Sequence, residues 1–415
     1  MQKHKEKWEE YYDIIKDFAT KNNLKNTKIA LDVAVQLHKG QKRKGGQPYI
    51  IHPLEVTLYL IYLGIKDDVT LAAALLHDVI EDCLKDNGES LTTVYHLSFE
   101  VVQIVNLLTK KADISEKEYY EEISKEPKAI IIKLSDRANN VSTMTGAFSK
   151  EKMESYVEET WKYIFPLCRV CKSRFPEYSK YITIIKYKIV SICETIEALL
   201  NVDYKRPFDE YAYKRTLLFI KGYAIGKNMY NTLKALSLAE ELHKDQKRKS
   251  GDPFIIHPLR VCSYLISLKI NSDITCAAAL LHEVFKKTDI TDEELIKKYG
   301  IDERVVKLVH LVSRPDDMSY DEYYRKLKKN SQALLIKLSN RANTCTLLHS
   351  YTFLEKLAYL KEDEKYIVPL CKYGLEHFKK YSNQISSMEY HISSLCHIVK
   401  CFTIGDEDLK DTILY

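Results

Sequence analysis

Apolar residues recur along most of the chain at the three- and four-residue spacing of an amphipathic helix. Ile29, Val33 and Leu37 form the first such stripe, and the Gly- and Lys-rich residues 39–48 follow it as a loop. The same spacing, with prolines and glycines at the ends of the segments, predicts further helices at 53–64, 69–82, 101–108 and 128–140, and one or two long helices within 154–200. No segment alternates as a β-strand does, so the pattern predicts an all-α protein.

One predicted helix ends in a cluster of polar side chains. Residues 72–76 read Ala-Ala-Ala-Leu-Leu, and His77, Asp78, Glu81 and Asp82 follow at positions that a continuous helix places on one face. Imidazole and carboxylate groups beside an apolar run need a partner, and a metal cation is the most effective one. The alternative is a helix that leaves the core and becomes solvated.

The chain also repeats itself. Residues 30–77 align without a gap on residues 235–282, and 31 of the 48 pairs are identical. Further along, Ile-Lys-Leu-Ser-Asp-Arg-Ala-Asn at 132–139 returns at 336–343 with Asn in place of Asp. A period of about 205 residues is far longer than that of any solenoid repeat. The repeat therefore indicates that a whole domain is duplicated.

The duplication defines the expected domains. We predict two tandem helical domains, residues 1–205 and 206–415, with the boundary inside the mixed, aromatic stretch 201–228. That stretch is not a flexible Gly/Ser linker, so the two copies are expected to pack together.

Composition narrows the class of protein. A formal net charge of +5 over 415 residues is too mild to indicate nucleic acid as a partner. No segment reaches the roughly 18 apolar residues of a membrane span, and the Lys- and Glu-rich start of the chain is not a signal peptide. Ten scattered cysteines, Cys168 and Cys171 among them, fit the reduced thiols of a cytosolic protein. We expect a cytoplasmic protein that binds neither membrane nor nucleic acid.

Four residues on three predicted helices of the first copy are candidate metal ligands: His52, His77, Asp78 and Asp136. Two imidazoles and two carboxylates can hold one divalent cation. The carboxylate share favours manganese over iron or zinc. Glu81 and Asp82, one turn beyond, are candidates for moving the proton of an attacking water.

A basic loop precedes His52. Lys42, Arg43 and Lys44 would suit a phosphorylated substrate if they lie beside a metal site. Composition alone favours a solvated loop. The recurrence of the same three residues at 247–249 argues for a binding role, although duplication by itself also preserves them. Asn140, one turn after Asp136, is a further candidate for contact with the substrate.

Three segments together resemble the HD hydrolase domain of the RelA/SpoT type, a family that includes stand-alone small alarmone hydrolases. They are the run from His38 through His52-Pro53, the Ala-Ala-Leu-Leu-His-Asp-x-x-Glu-Asp segment ending at Asp82, and Lys-Leu-x-Asp-Arg-x-x-Asn ending at Asn140. The resemblance covers roughly residues 25 to 170. It implies an all-α HD fold, one Mn²⁺ ion, and removal of the 3′-pyrophosphate from (p)ppGpp. No stretch resembles the family's synthetase domain, so hydrolysis without synthesis is expected.

The resemblance also implies roles for individual residues. His52, His77, Asp78 and Asp136 match the metal ligands, and Glu81 and Asp82 match the pair associated with the catalytic water. Arg43, Lys44 and Asn140 match positions that contact the nucleotide. Asn139 departs from the pattern, because many members have His there, and this change is not expected to touch the metal.

The second copy departs from the pattern at the site itself. Glu283 replaces Asp78, Asn340 replaces Asp136, and Thr344 replaces Asn140. Lys286 and Lys287 replace Glu81 and Asp82, which turns two anions into two cations and should repel a divalent ion. The second copy is therefore predicted to be a pseudo-hydrolase. Either it still holds a nucleotide through its basic residues, or it is kept for packing or dimerisation.

Other functions stay open at this point. The substrate could instead be an adenosine alarmone such as ppApp, or the 2′-phosphate of NADPH. A second class is a sensor or regulatory protein, for example an antitoxin with an alarmone-making toxin as its partner. A homo-oligomer is a further possibility that nothing in the sequence tests.

Overall fold

In a computed structural model, residues 6–84, 86–201, 209–249 and 251–404 are described. These residues are helical and form no β-strand; two isolated bridges, Lys42 with Pro48 and Lys247 with Pro253, close the two basic loops. The predicted all-α class is therefore confirmed. The chain divides into two compact units, Met1–Ile196 and Glu197–Tyr415. The predicted boundary between residues 205 and 206 lies outside the described residues.

Twelve α-helices lie in the described residues of the first unit, and the last of them extends four residues into the second unit. They are α1 Lys7–Lys21, α2 Lys25–Leu37, α3 Ile51–Tyr62, α4 Asp68–Leu76, α5 Val79–Asp82, α6 Glu89–Thr93, α7 Phe99–Leu108, α8 Glu116–Ile123, α9 Pro127–Thr143, α10 Lys150–Glu159, α11 Phe165–Arg174 and α12 Ser179–Leu200. A π-helical turn, Thr160–Ile164, joins α10 to α11, and a 3₁₀ turn, Pro176–Tyr178, joins α11 to α12.

The predicted one or two long helices over residues 154–200 correspond to two helical segments, 150–174, which contains a π-helical turn, and 179–200. Three α-helices, α10, α11 and α12, cross this region. Pro166 cannot donate a backbone hydrogen bond, and the helix widens into the π-helical turn just before it. Pro176 excludes Phe175 from the helical region, and α11 ends there.

Helix α4 forms the centre of the first unit. Its residues 71–76 are completely buried, and α4 packs against α2, α3, α7 and α9. The small side chains of Ala72, Ala73 and Ala74 let these neighbours approach closely, and each fully buried leucine adds roughly 2 kcal/mol of hydrophobic stabilisation. The C-terminal end of α4 is thereby fixed against α3 and α9, the two helices that carry the other candidate ligands.

The predicted single helix over residues 69–82 is interrupted. α4 ends at Leu76, His77 and Asp78 form a turn, and α5 begins at Val79. Asp78 has φ −101° and ψ −7°, away from helical values, so the regular pattern of backbone hydrogen bonds breaks there. Adjacent side chains of a regular helix diverge by about 100°. The turn instead allows the side chains of His77 and Asp78 to approach each other.

One aspartate ties the start of α2 to α4. The Asp68 carboxylate accepts hydrogen bonds from the backbone N–H groups of Asn26 and Thr27 at 2.9 and 2.8 Å, and from both of their side chains. These N–H groups lie in the first turn of α2 and have no partner within the helix. Burial raises the pKa of Asp68, but the hydrogen bonds outweigh it and the pKa is lowered.

We expect Asp68→Ala to lower the free energy of unfolding by about 2 kcal/mol, because it leaves helix N–H groups without an acceptor. The folded-state pKa lies below the ordinary 3.8, so this stabilisation is present above 3.8 and is lost as the pH falls through the folded-state pKa. Urea unfolding at several pH values measures both effects. Asp68→Asn, which keeps one acceptor, should cost less; equal stability of parent and Asp68→Ala would contradict the assignment.

The second unit contains eleven α-helices among its described residues. They are α13 Glu210–Gly226, α14 Tyr230–Leu242, α15 Ile256–Ser267, α16 Asp273–Leu281, α17 Val284–Lys287, α18 Glu303–Val312, α19 Tyr320–Leu327, α20 Ser331–Cys345, α21 Phe353–Glu362, α22 Val368–His377 and α23 Ser382–Ile404. Two π-helical turns, Glu294–Lys298 and Asp363–Ile367, and two 3₁₀ turns, Leu348–Ser350 and Lys379–Tyr381, complete it.

The second unit has the same local structural features as the first. Asp273 accepts hydrogen bonds from Asn231 and Thr232 just as Asp68 does from Asn26 and Thr27. α16 and α17 are again separated by a turn, here at His282 and Glu283. Among the described residues, no helix is long and apolar enough to cross a membrane.

Candidate functional site

Two histidines of the first unit direct their Nε2 atoms toward the same point. His52 lies in the first turn of α3 and His77 in the turn after α4, and their Nε2 atoms are 3.2 Å apart. His77 Nδ1 donates to the carbonyl oxygen of Ala74 at 2.8 Å. His52 Nδ1 donates to Oδ1 of Asn139 at 2.7 Å. Because both Nδ1 atoms carry the proton, both Nε2 atoms present a lone pair to the same point.

Two carboxylates face the same point. Asp78 Oδ2 lies 3.3 Å from His77 Nε2 and 3.5 Å from His52 Nε2. Asp136, on α9, places Oδ1 3.2 Å from His52 Nε2 and 3.7 Å from His77 Nε2. The structure therefore brings Asp136 beside the two histidines, while the group whose ligand atoms all lie within 4.8 Å of one another is His52, His77 and Asp78.

The donor set fits a divalent cation. Ligand atoms bound at about 2.1 Å to one ion lie roughly 3 Å apart when they are neighbours in its coordination shell. For the pairs that include a histidine nitrogen, the distances of 3.2 to 3.7 Å need only a small contraction to reach that arrangement. Mixed imidazole and carboxylate donors suit manganese, iron or zinc.

The charges of the site also favour the binding of a cation. Burial lowers the pKa of His77, but the carboxylates of Asp78 and Asp136 outweigh it and raise the pKa to about 9. Burial raises the pKa of Asp136, yet the Lys133 ammonium and the two histidines hold it well below the usual range. The buried carboxylate of Asp136 and the half-buried one of Asp78 thus attract positive charge, which a proton on His77 or a cation can provide.

Supporting residues hold the two carboxylates, and sequence reasoning missed two of them. Tyr49 Oη donates to Asp78 Oδ2 at 2.7 Å, and Lys133 Nζ lies 3.2 Å from Asp136 Oδ2. Asn140 Nδ2 donates to Asp136 Oδ1 at 2.6 Å. A signal for Tyr49 was present in the repeat, because the second copy has Phe254 there together with Glu283 in place of Asp78.

Asn139 holds the candidate ligand His52 by the ring nitrogen that does not face the site. Its Oδ1 accepts from His52, while its Nδ2 donates to Glu55 Oε2 at 2.8 Å, which fixes the orientation of the amide. Asn343 holds His257 in the same way in the second unit, at 2.7 Å. The amide therefore orients a candidate ligand in both units.

We expect Tyr49→Phe to weaken the binding of a divalent cation by about 10- to 100-fold, because Asp78 loses the hydroxyl group that orients it. Calorimetric titration of the metal-free protein with Mn²⁺ measures the effect. Phe254→Tyr is the matched control in the second unit and should leave this affinity unchanged. An unchanged affinity in Tyr49→Phe would show that the hydroxyl does not position Asp78.

The basic loop reaches the site through Arg43. Its guanidinium donates to Oδ1 of Asn140 at 2.6 Å and to Oγ1 of Thr143 at 3.2 Å. Since Asn140 also donates to Asp136, a chain of hydrogen bonds runs from the loop to a candidate ligand. The structure thus places Arg43 and Asn140 together, beside the four candidate ligands.

Lys44 meets a lysine that sequence reasoning missed. The ammonium groups of Lys44 and Lys152 lie 5.6 and 4.5 Å from the centre of the Phe148 ring. The nearby Lys44 ammonium lowers the pKa of Lys152. Two cations held close together at the surface are suited to an anionic group with several oxygens. In the second unit Glu355 pairs instead with Lys249, at 2.5 Å.

Glu81 and Asp82 lie on α5, the short helix that follows the His77–Asp78 turn, and both are exposed. Desolvation at the edge of the site, with the charges of Asp78 and Asp82, raises the pKa of Glu81. A carboxyl group with a raised pKa is better matched to proton transfer near neutral pH than an ordinary one.

The second unit keeps the histidines and loses the acidic environment. The Nε2 atoms of His257 and His282 are 3.1 Å apart, and Glu283 Oε1 lies 3.6 Å from His282. Burial lowers the pKa of both histidines, well below 6.5 for His257, where the nearby Arg248 adds to the effect. The three side chains form a candidate metal cluster by geometry, but Asn340 supplies no second carboxylate.

Comparison with known proteins gives consistent matches. Residues 30–167 and 235–346 match the HD domain family, which covers more than half of the chain. The chain is 37% identical over 146 residues to a guanosine-3′,5′-bis(diphosphate) 3′-pyrophosphohydrolase of Aquifex aeolicus, covering 33% of this chain and 20% of the relative. It is 37% identical over 153 residues to a GTP pyrophosphokinase of Streptomyces coelicolor, covering 35% and 18%.

These matches concern part of each relative. The chain spans about a fifth of the length of the first curated relatives. A solved structure described as a metazoan ortholog of SpoT that hydrolyses ppGpp is 22% identical, with a TM-score of 0.30, and covers 36% of this chain and 96% of its own. The resemblance to HD domains of the RelA/SpoT type is confirmed by the HD domain match and the curated relatives.

Proposed function

This chain belongs to the HD domain family, and from that premise we propose that its first unit removes the 3′-pyrophosphate of (p)ppGpp. The observation that carries the proposal is the convergence of His52, His77, Asp78 and Asp136 beside the Arg43 loop. The reaction consumes one water. It breaks the bond that joins the 3′-oxygen to the pyrophosphate, and gives GDP or GTP with a free 3′-hydroxyl group.

The four converging side chains are the proposed ligands of one divalent cation, and their carboxylate share favours Mn²⁺. When bound, the cation supplies Lewis-acid chemistry, which polarises a phosphate oxygen and makes a water easier to deprotonate. The protein contributes the fixed lone pairs of the two histidines and the two oriented carboxylates.

Three further groups have proposed roles at the substrate. Arg43 and Lys44 neutralise phosphate charge, and Lys152 joins them because it shares the Phe148 ring with Lys44. Asn140 lies between Arg43 and Asp136, where it can contact a substrate oxygen. Glu81 and Asp82 take the proton of the attacking water and return it to the leaving group.

A substrate panel tests the assignment. Purified protein with Mn²⁺ is mixed with ppGpp, ppApp or NADPH, and the products are separated by ion-exchange chromatography. We expect GDP and pyrophosphate from ppGpp at a rate at least about tenfold above the rates with the other two. A preference for ppApp, or release of inorganic phosphate from NADPH as the main reaction, would overturn the guanosine assignment and keep the hydrolytic site.

The proposal includes hydrolysis without synthesis by this chain. The two HD matches fill residues 30–167 and 235–346, and the described residues contain no β-strand on which a mixed α/β catalytic domain could be built. Incubation with ATP and GDP should therefore yield no ppGpp. Formation of ppGpp under these conditions would contradict this part of the proposal.

A further inference from the structure

The second unit contains a strongly basic cavity. Its volume is about 440 Å³, within the range of small-ligand pockets. Eight lysine and arginine residues line it against two glutamates, Glu283 and Glu362, and two of the cations, Lys249 and Arg341, also pair with Glu355 and Asp363 outside the lining. A concentration of cations of this kind is unfavourable unless solvent or an anion compensates it. The cavity therefore has the charge of an anion-binding site.

The cations stand where the first unit has its acidic groups. Lys286 and Lys287 occupy the positions of Glu81 and Asp82, at the exposed edge of the cavity. Asn340 occupies the position of Asp136 and removes a buried negative charge. In the first unit the proposed cation would supply the positive charge of the site. In the second unit ammonium groups of the chain itself supply it.

Lys337 is a largely buried lysine whose surroundings change because residue 340 is not an aspartate. Its counterpart, Lys133, lies 3.2 Å from Asp136. Lys337 has no carboxylate at residue 340, and its nearest carboxylate is that of Glu362, at 3.6 Å. Burial, with Arg341 and Lys286 nearby, lowers the pKa of Lys337 to about 8 despite the charge of Glu362. An anion in the cavity would replace the lost carboxylate as the partner of this ammonium group.

The basic loop of the second unit keeps its form. Arg248 N donates to the carbonyl oxygen of Asp252 at 2.8 Å, as Arg43 N does to Gln47 at 2.9 Å, and an isolated bridge closes both loops. Aromatic side chains complete the lining, and cations lie over them: Arg314 is 4.5 Å from the centre of the Tyr320 ring and Lys249 is 4.8 Å from that of Tyr351. The cavity thus combines clustered cations with aromatic rings, the two kinds of group that bind a phosphate and a nucleobase.

We propose that the second unit binds a polyphosphorylated nucleotide without a metal ion and without cleaving it, with Lys286, Lys287 and Lys337 in the place of the cation. The ligand is a nucleotide that carries a pyrophosphate group. That it is the same alarmone rests on the proposed function of the first unit, whereas its chemical class rests on the cavity alone.

Calorimetric binding to the full chain in EDTA tests the proposal, with ppGpp and inorganic pyrophosphate as probes. The chelator silences hydrolysis. We expect one site per chain that survives EDTA and binds ppGpp more tightly than pyrophosphate. Lys286→Glu with Lys287→Asp, which restores the charges of the first unit, should weaken binding by about tenfold or more. Arg43→Ala is the matched control in the first unit and should leave this binding unchanged.

The two proposals fail in distinguishable ways. Loss of all binding in EDTA, or binding that the Lys286→Glu, Lys287→Asp chain keeps at parental affinity, would overturn the second-unit site while leaving hydrolysis with Mn²⁺ intact. A milder pair, Lys286→Ala with Lys287→Ala, guards against misfolding caused by charge reversal, and thermal unfolding checks both variants. Absence of hydrolysis together with binding that resists EDTA would overturn only the function proposed for the first unit.

Discussion

Asp136→Asn is expected to lower kcat for ppGpp hydrolysis by about three orders of magnitude, equivalent to roughly 4 kcal/mol of transition-state stabilisation. The change keeps the shape of the side chain and removes one of the two carboxylates that face His52 and His77. It also copies the second unit, which has Asn340 at this position. Affinity for Mn²⁺ should fall with the rate. Steady-state kinetics and calorimetric titration of the same preparation measure both quantities.

Asn340→Asp is the matched control for this prediction. It adds a carboxylate to the second unit, but Lys286 and Lys287 stay in place and oppose a divalent cation. Hydrolysis by the Asn340→Asp chain should equal that of the parent. Since Lys133 loses its ion pair in Asp136→Asn, thermal unfolding must show that this variant is folded. A folded Asp136→Asn protein with parental activity would show that the first unit does not carry the reaction.

Arg43→Ala is expected to lower kcat/KM by about 100-fold, through the loss of a guanidinium hydrogen bond to a phosphate group worth roughly 3 kcal/mol. Arg43→Lys keeps the charge but loses the planar, forked guanidinium group. Its kcat/KM should therefore lie between those of the parent and of Arg43→Ala. The residue also contacts Asn140 and Thr143, and a change in Mn²⁺ affinity would reveal an indirect effect through Asp136. Initial rates over a range of ppGpp concentrations separate KM from kcat.

Arg248→Ala tests the same loop in the second unit. The loop has the same backbone hydrogen bonds there, so a general effect of the substitution on loop structure would appear in both variants. We expect Arg248→Ala to leave kcat/KM unchanged. Equal losses in Arg43→Ala and Arg248→Ala would contradict the assignment of catalysis to the first unit alone.

The candidate ligands could be predicted from sequence because their types and spacing are local properties. His77 and Asp78 are adjacent, and the segments around His52 and Asp136 are short and distinctive. The turn between α4 and α5 could not be predicted in this way. The surrounding residues favour a helix, and the side chain of His77 instead bonds to the backbone of Ala74 once the helix end is packed.

Groups that act through tertiary contacts were missed. Lys152 meets Lys44 only because α10 returns past the basic loop, and no spacing in the sequence links the two residues. Tyr49 lies inside the motif that runs from His38 to Pro53, while its contact with Asp78 depends on the turn after α4. The helix boundaries near Pro166 and Pro176, in contrast, could have been predicted, because proline marks such boundaries in the sequence itself.

Removal of the divalent cation from the purified protein by a chelator, followed by its return, tests the central claim most directly. Release of pyrophosphate from ppGpp is followed with time in Mn²⁺, after EDTA, and after Mn²⁺ is added back, and the nucleotide product is identified. The account predicts GDP and pyrophosphate in equal amounts, loss of the reaction in EDTA, and its return with Mn²⁺. No pyrophosphate release by a protein that binds Mn²⁺ in calorimetry, or release that persists in EDTA, would contradict it.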